Sequence, residues 1–418
     1  MRSSVRLLAL GAMAAILFAA CSSTGTTTSS APTTAASVAP STSASAEASA
    51  SASASASGGA VNTNWTACVA FDTGGLGDKG FNDLAMKGLN DAKALGYKTF
   101  FSEAKGSTDY ANNIQSLVDK GCQSIVTVGF LQADATKAAV AANPDIAFAQ
   151  VDTAWNKCGP DFVCGNADDT PQPANFTGLD YQVDQSSMLA GYLAASFTKT
   201  GKIGTYAGQA FPGTTRFMDG LYAGIQYFNQ QKKPATPVTL VGWNPTEKDP
   251  TKTATLVGGS GGNDTWSNPT KGKQFGQTFL DQGVDIVHPV AGGTGNGTIE
   301  TMHTAGKYAI GVDTDQYISI GPPTNAALLT SSQKAIDVSV LDFFKSSSGG
   351  SLGGKDYSGT LANNGVLLSP FHDYDSQIQQ STKDELSALK DALVSGSVKV
   401  CSFIGAPEDA AARGIPGC

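Results

Sequence analysis

The stretch DIVHPVAGGTGNGTIETMHTAGKYAIGVDTDQY, Asp285–Tyr317, decides the fold. An apolar run opens at Ile286-Val287 and passes through His288-Pro289-Val290 into a glycine-rich loop, Ala291–Gly297. A helical segment follows over about Thr298–Ala305, and a second apolar run, Tyr308–Val312, ends on Asp313. Strand, glycine loop, helix and strand make the βαβ unit of a parallel sheet. Ligands of open α/β sheets bind outside the carboxyl ends of the strands. Both the loop and Asp313 stand at such ends, so this stretch is the candidate binding site.

Outward from it, the same alternation runs through the chain. Strand patterns at Cys68–Phe71, Tyr97–Phe101, Ser124–Val128, Asp145–Val151 and Asn175–Asp180 alternate with helical patterns at Asn82–Ala94, Tyr110–Asp119, Ala133–Ala142 and Gln182–Phe197. The rhythm restarts with Lys202–Tyr206, Thr215–Asn229, Val238–Val241 and a helix near Lys271–Asp281. Leu386, Leu389 and Leu393 mark one face of a last helix, closed by Gly396. The pattern predicts an α/β protein of two doubly wound parallel-sheet lobes.

The glycine loop lacks the Lys-Ser or Lys-Thr that closes a phosphate-binding P-loop, and Gly293-Thr-Gly295-Asn-Gly297 brings its third glycine one position early for a dinucleotide site. Glycine here means either close backbone approach or a tight turn. VAGGTGNG followed by IGVDTDQY is similar to the signature of the basic membrane protein family, lipoproteins that bind purine nucleosides and feed ABC importers. CVAFDTGGLGDKGFND (Cys68–Asp83), NFTGLDYQVDQSSMLAGYLAA (Asn175–Ala195) and LLTSSQKAIDVSV (Leu328–Val340) resemble the same family, in family order.

The resemblance implies a hinged, type I periplasmic-binding-protein fold. It divides the chain into a first lobe of residues 65–180 plus about 325–370 and a second of 181–324, with a tail, 371–418, assigned to neither. It implies that Asp72 and Asn82 hydrogen-bond the edge of a purine while Phe81 stacks on its face. Trp266, before Ser267-Asn268-Pro269, fills the second stacking position, with Trp in place of the family's Phe. Asp313 grips the two ribose hydroxyls, Lys334 reaches the same sugar, and Gly292 and Gly293 offer backbone N–H groups. Arg216, Phe217, Phe130 and Asp152 are placed near the cleft without a role. The implied partners are a nucleoside and an ABC permease, with the protein a monomer.

The 418 residues, 41% of them hydrophobic, suffice for two domains with sizeable cores. A net charge of −8 argues against nucleic acid, whose phosphates demand clustered Lys and Arg. Residues 1–20 read as a secretory signal: Arg2 and Arg6, an apolar run Leu7–Phe18, then Ala19-Ala20 before Cys21. Small residues directly before a cysteine resemble a lipobox, although Phe18 stands where Leu is usual. Cys21 is thus expected to carry the lipid that anchors an exported protein to the outer face of the cell membrane. Residues 21–64 are Ser/Thr/Ala-rich, cannot bury a core, and read as a flexible tether.

Six further cysteines in an exported chain read as disulfides. Cys158–Cys164 flank a short loop, Cys401–Cys418 staple the tail, and Cys68–Cys122 begin strands expected to be neighbours. Zinc is the alternative, but there is no CxxC and the three histidines are scattered, so neither metal nor cofactor is expected. Other readings are a different small ligand such as a sugar, or a serine hydrolase. Gly258-Gly-Ser260-Gly-Gly262 satisfies GxSxG, with Asp313 and His372 following in α/β-hydrolase order. The elbow needs a helix straight after the serine, and GGNDTWSNP has a loop's composition. The chain is read as a binding protein and not an enzyme.

Overall fold

The computed structural model describes residues 62, 64–155, 170–245, 254–258 and 263–400. Cys21, Ser260, Cys158–Cys164 and Cys401–Cys418 lie outside the described residues. The strands are β1 (Thr66–Phe71), β2 (Lys98–Glu103), β3 (Ser124–Val128), β4 (Ala147–Val151), β5 (Phe176–Tyr181), β6 (Lys202–Ala207), β7 (Thr239–Val241), β8 (Ile286–Val290), β9 (Tyr308–Asp313), β10 (Leu328–Lys334), β11 (Tyr357–Gly359) and β12 (Val366–Leu368). They form two sheets, ordered β11-β5-β4-β3-β1-β2 and β12-β10-β9-β8-β6-β7. All pairs are parallel except β10–β12.

Each sheet repeats one winding, in which the chain starts inside, steps to one edge, returns, and moves outward. The strand order therefore reverses between β1 and β3 in one lobe and between β6 and β8 in the other. Central strands β1, β3, β4 and β8 are buried along their whole length, which is why they read as apolar runs without alternation. Pro289 is tolerated inside β8 because the β8–β9 ladder ends at Val287, so no partner there needs the missing N–H.

The lobe boundaries correct the sequence reading. β10 does not return to the first lobe: Ser331, Ser332 and Gln333 pair with Gly311, Val312 and Asp313 of β9. The crossing follows at the helix Ile336–Ser348, which packs on the helix Phe81–Ala94 across Gly88, where a Cβ would lie 2.8 Å from the Asp337 carbonyl. β11 then joins the first sheet and β12 the second, so 325–370 is shared between lobes. The C-terminal helix Gln380–Ser395 packs on the helix Val183–Phe197 of the second lobe, with Tyr192 donating to Glu385 at 2.9 Å.

The glycine loop is a second correction. Helix begins at Gly292 and runs to Thr304, so the glycines form its first turns. Their role is close packing on the helix Pro269–Asp281: a Cβ on Gly297 would sit 1.9 Å from the Pro269 carbonyl, and one on Gly272 1.8 Å from that of Thr294. This contact outweighs the poor helix propensity of glycine. Cys68 of β1 and Cys122, just before β3, are joined by a disulfide with Cα atoms 6.0 Å apart. Among the described residues no helix is long and apolar enough to cross a membrane.

Candidate functional site

A cavity lies in the cleft between the lobes, with its wall drawn from both. Its wall comes from the carboxyl ends of the strands beside both reversal points. Asp72 and Gly74 follow β1, Gly129 and Phe130 follow β3, Phe211 and Thr214 follow β6, and Ala291 and Gly292 follow β8. Val312 and Asp313 close β9. Each lobe thus presents the place where open α/β sheets bind ligands, and the two places face each other.

At the first-lobe end, Asp72 accepts from the Gly74 amide (2.8 Å) and from Asn82 Nδ2 (3.0 Å). Burial still pushes its carboxyl up to about 6, against the lowering effect of those bonds. Asn82 also donates to Asp78 Oδ2 at 3.1 Å, while its own Oδ1 is buried and accepts nothing from the described residues. Phe81 begins the helix and lines the cavity beside them. Trp266 ends the short helical turn Asn263–Trp266 of the other lobe and lines the same cavity. Its six-membered ring packs against Gly208, where a Cβ would come 2.3 Å from it, and its buried Nε1 has no partner among the described residues.

Asp313 is held at φ +65°, an uncommon conformation for a non-glycine residue, and burial raises its carboxyl to about 6 in spite of Lys334. Lys334 is buried. Its Nζ donates to Asp152 Oδ2 (2.7 Å) and the Gly213 carbonyl (3.2 Å), and lies 3.5 Å from Asp313 Oδ1. The rings of Phe81 and Phe217 flank it at 5.3 and 4.8 Å. Lys334 is therefore behind the cavity wall, engaged with protein groups. Gly292, at φ +52°, is on the wall; Gly293 is not, and faces the Trp266 carbonyl instead, 3.2 Å from where its Cβ would be.

The residues without a role acquire one. Arg216 bridges the lobes by donating to Asp180 (2.7 Å) and the Tyr181 carbonyl (3.0 Å). Phe130 stacks across the cleft on Phe211, centroids 5.2 Å apart. Asp152, at φ +60° after β4, is the first-lobe counterpart of Asp313. Sequence could have shown this, because Phe71-Asp72-Thr73, Val151-Asp152-Thr153 and Val312-Asp313-Thr314 put Asp-Thr at the ends of three strands. Asp78, missed in the sequence, lines the cavity with its carboxyl raised by burial. The hydrolase triad does not assemble: His372 Nε2 pairs with Asp315 at 2.8 Å, and Asp313 pairs with Lys334.

This two-lobed geometry agrees with what the chain resembles. The profile of the Bmp family, described as ABC transporter substrate-binding protein PnrA-like, matches residues 66–244 and 262–400. The chain belongs to that family. Bmp proteins are substrate-binding components of ABC transporters, so this member is a binding protein and not an enzyme. The ABC transporter nucleoside-binding protein BmpA of Lactococcus lactis subsp. cremoris is 28% identical over 365 residues, covering 82% of this chain and 91% of the relative. Basic membrane protein A of Borreliella burgdorferi is 27% identical over 58% of this chain, which spans 62% of that relative's length. The fold is that of a crystallised ABC transporter solute-binding protein from Aeropyrum pernix, with a TM-score of 0.68 at 23% identity, over 85% of this chain and 99% of that one.

Proposed function

We propose that this Bmp protein captures nucleosides, purine nucleosides foremost, between its lobes and delivers them as a monomer to an ABC permease. On this reading a lipid on Cys21 holds it at the outer face of the cell membrane, with 21–64 as the tether. The observation that carries the ligand class is the pairing of wall chemistries. Two aromatic side chains from opposite lobes, Phe81 and Trp266, share one cavity with the Asp72–Asn82 pair and with Asp313. A flat heterocycle between aromatic faces gains about 1–3 kcal/mol per stacking contact. Asn82 Oδ1 and the Asp72 carboxyl supply polar groups for a base edge, and vicinal hydroxyls can each donate to the carboxylate of Asp313. Lys334, behind the wall, acts by holding Asp313. The Lactococcus relative's printed name, nucleoside-binding, points the same way.

The test is calorimetry and thermal shift with adenosine, guanosine, inosine, cytidine and uridine on ligand-stripped protein. At a hundred times Kd a bound ligand adds about 2.7 kcal/mol of stability. No response to any nucleoside overturns the reading. Mass spectrometry of the membrane-fraction protein tests the lipid on Cys21.

A further inference from the structure

Residues 73–80, between β1 and the helix Phe81–Ala94, form a loop several of whose amides are taken up by carboxylates of the same lobe. The Asp78 carboxylate accepts from the amides of Gly80 (3.0 Å), Asn82 (2.8 Å) and Asp83 (3.3 Å). That of Asp83 accepts from Gly77 (2.7 Å) and Lys79 (3.1 Å). With these donors engaged, the carbonyls of Gly74, Asp78 and Lys79 serve the other lobe. Each accepts one side-chain hydrogen bond from a different second-lobe segment: Ser267 Oγ to Gly74 (2.6 Å), Asn296 Nδ2 to Asp78 (3.0 Å), and Ser319 Oγ to Lys79 (2.7 Å). The amide of Asn296 is oriented by Gln316, whose Nε2 donates to Asn296 Oδ1 at 3.2 Å and whose Oε1 accepts from the Val312 amide at 2.9 Å. None of the three donors is on the cavity wall.

We propose that Ser267, Asn296 and Ser319 are positioning residues that latch the closed lobes, setting how tightly the protein holds a ligand without choosing which ligand it holds. The three bonds span the cleft, so they exist only when the lobes meet. Apparent affinity scales with the population of the binding-competent state, and a contact made wholly between protein groups scales every ligand alike. A side-chain hydrogen bond of this kind shifts an equilibrium by about two- to tenfold. The inference rests on closure over a ligand and not on the ligand being a nucleoside.

The experiment compares the full chain with Ser267→Ala/Asn296→Asp/Ser319→Ala; the aspartate keeps an acceptor for Gln316 and removes the donor. Calorimetry and dissociation rates are measured with inosine, guanosine and adenosine. Lobe separation is read by spin labels on non-cysteine handles at the exposed positions Lys93 and Gln274, with and without nucleoside. The expected result is a common loss of about tenfold or more for every nucleoside bound, faster dissociation, unchanged ratios between ligands, and a longer mean separation. Ser267→Thr and Ser319→Thr, which keep the hydroxyl, should retain wild-type affinity. An unchanged distance distribution overturns the latch whatever the affinities do. Losses that differ from ligand to ligand also overturn it, because they would put these side chains on the ligand. If wild type binds no nucleoside, the proposed function fails while the label distances still decide the latch.

Discussion

Lys334 Nζ of the second lobe lies 2.7 Å from Asp152 Oδ2 of the first, and both side chains are buried. The same ammonium stands 3.5 Å from Asp313, so one cation serves the carboxylates that end β4 and β9. Its removal leaves two buried acids without that cation, and Arg216, which also acts on Asp152, is itself bound to Asp180. Lys334→Met should therefore destabilise the protein by about 3–5 kcal/mol, the usual cost of breaking a buried pair from one side. The loss should be smaller at pH 5 than at pH 8, because protonated carboxyls need no partner. Asp152→Asn in the same chain should restore part of the stability. Urea unfolding of the three proteins at both pH values checks this.

Asp72 makes the opposite case, a buried carboxyl held by hydrogen bonds from Gly74 and Asn82 and not by an ion pair among the described residues. Its folded pKa of about 6 lies above the ordinary aspartate value of 3.8, so between those limits the folded protein binds more protons than the unfolded chain. Stability then falls as pH rises through that window, by up to about 3 kcal/mol from this group alone. Asp72→Asn keeps an oxygen for Gly74 and Asn82 and removes the charge. The stability of the variant relative to wild type should rise between pH 4 and pH 7 and level off above. A difference that is flat with pH means that Asp72 is solvated and not buried in the folded protein.

Trp266, where the family resemblance implies Phe, is on the proposed function one face of the base slot. Trp266→Ala should weaken nucleoside binding by about 1–3 kcal/mol with the melting temperature nearly unchanged. Wild-type emission should respond to ligand, and the response should vanish in the variant, although Trp65, Trp155 and Trp243 remain. Normal binding by the variant removes Trp266 from the slot.

Much of this was legible because strand ends and buried parallel strands leave local marks. The helices Tyr110–Asp119 and Ala133–Ala142 stand where their apolar spacing puts them, and the Asp285–Tyr317 unit is strand, helix and strand. The rest depends on contacts between distant segments. Ala291–Gly297 reads as loop because glycine weakens helices locally, and only the neighbouring helix at Pro269 reveals why no side chain fits. LLTSSQK suits either sheet, and its place in the second is set by register with Gly311–Asp313. Ser267, Asn296 and Ser319 are ordinary surface residues until the opposite lobe supplies their carbonyls.

Asp313 offers the most direct test of ligand orientation. Its carboxylate is on the cavity wall at the end of β9, and among the described residues Oδ1 accepts no hydrogen bond beyond the long approach of Lys334. On the proposed function this oxygen reads the sugar. Hydrogen bonds to a charged acceptor are worth about 1.5–3 kcal/mol each. Wild type should then prefer a nucleoside to its free base, and a ribonucleoside to its 2′-deoxy form. Asp313→Asn should weaken the nucleoside by about tenfold or more and the base little, so that the two affinities converge. The alternative is that Asp313 serves only as a counter-charge for Lys334, which would lower stability in the variant and leave the ratio of nucleoside to base unchanged. Calorimetry of both ligands on both proteins separates the two, because only direct contact with the ribose makes the loss depend on whether a ribose is there.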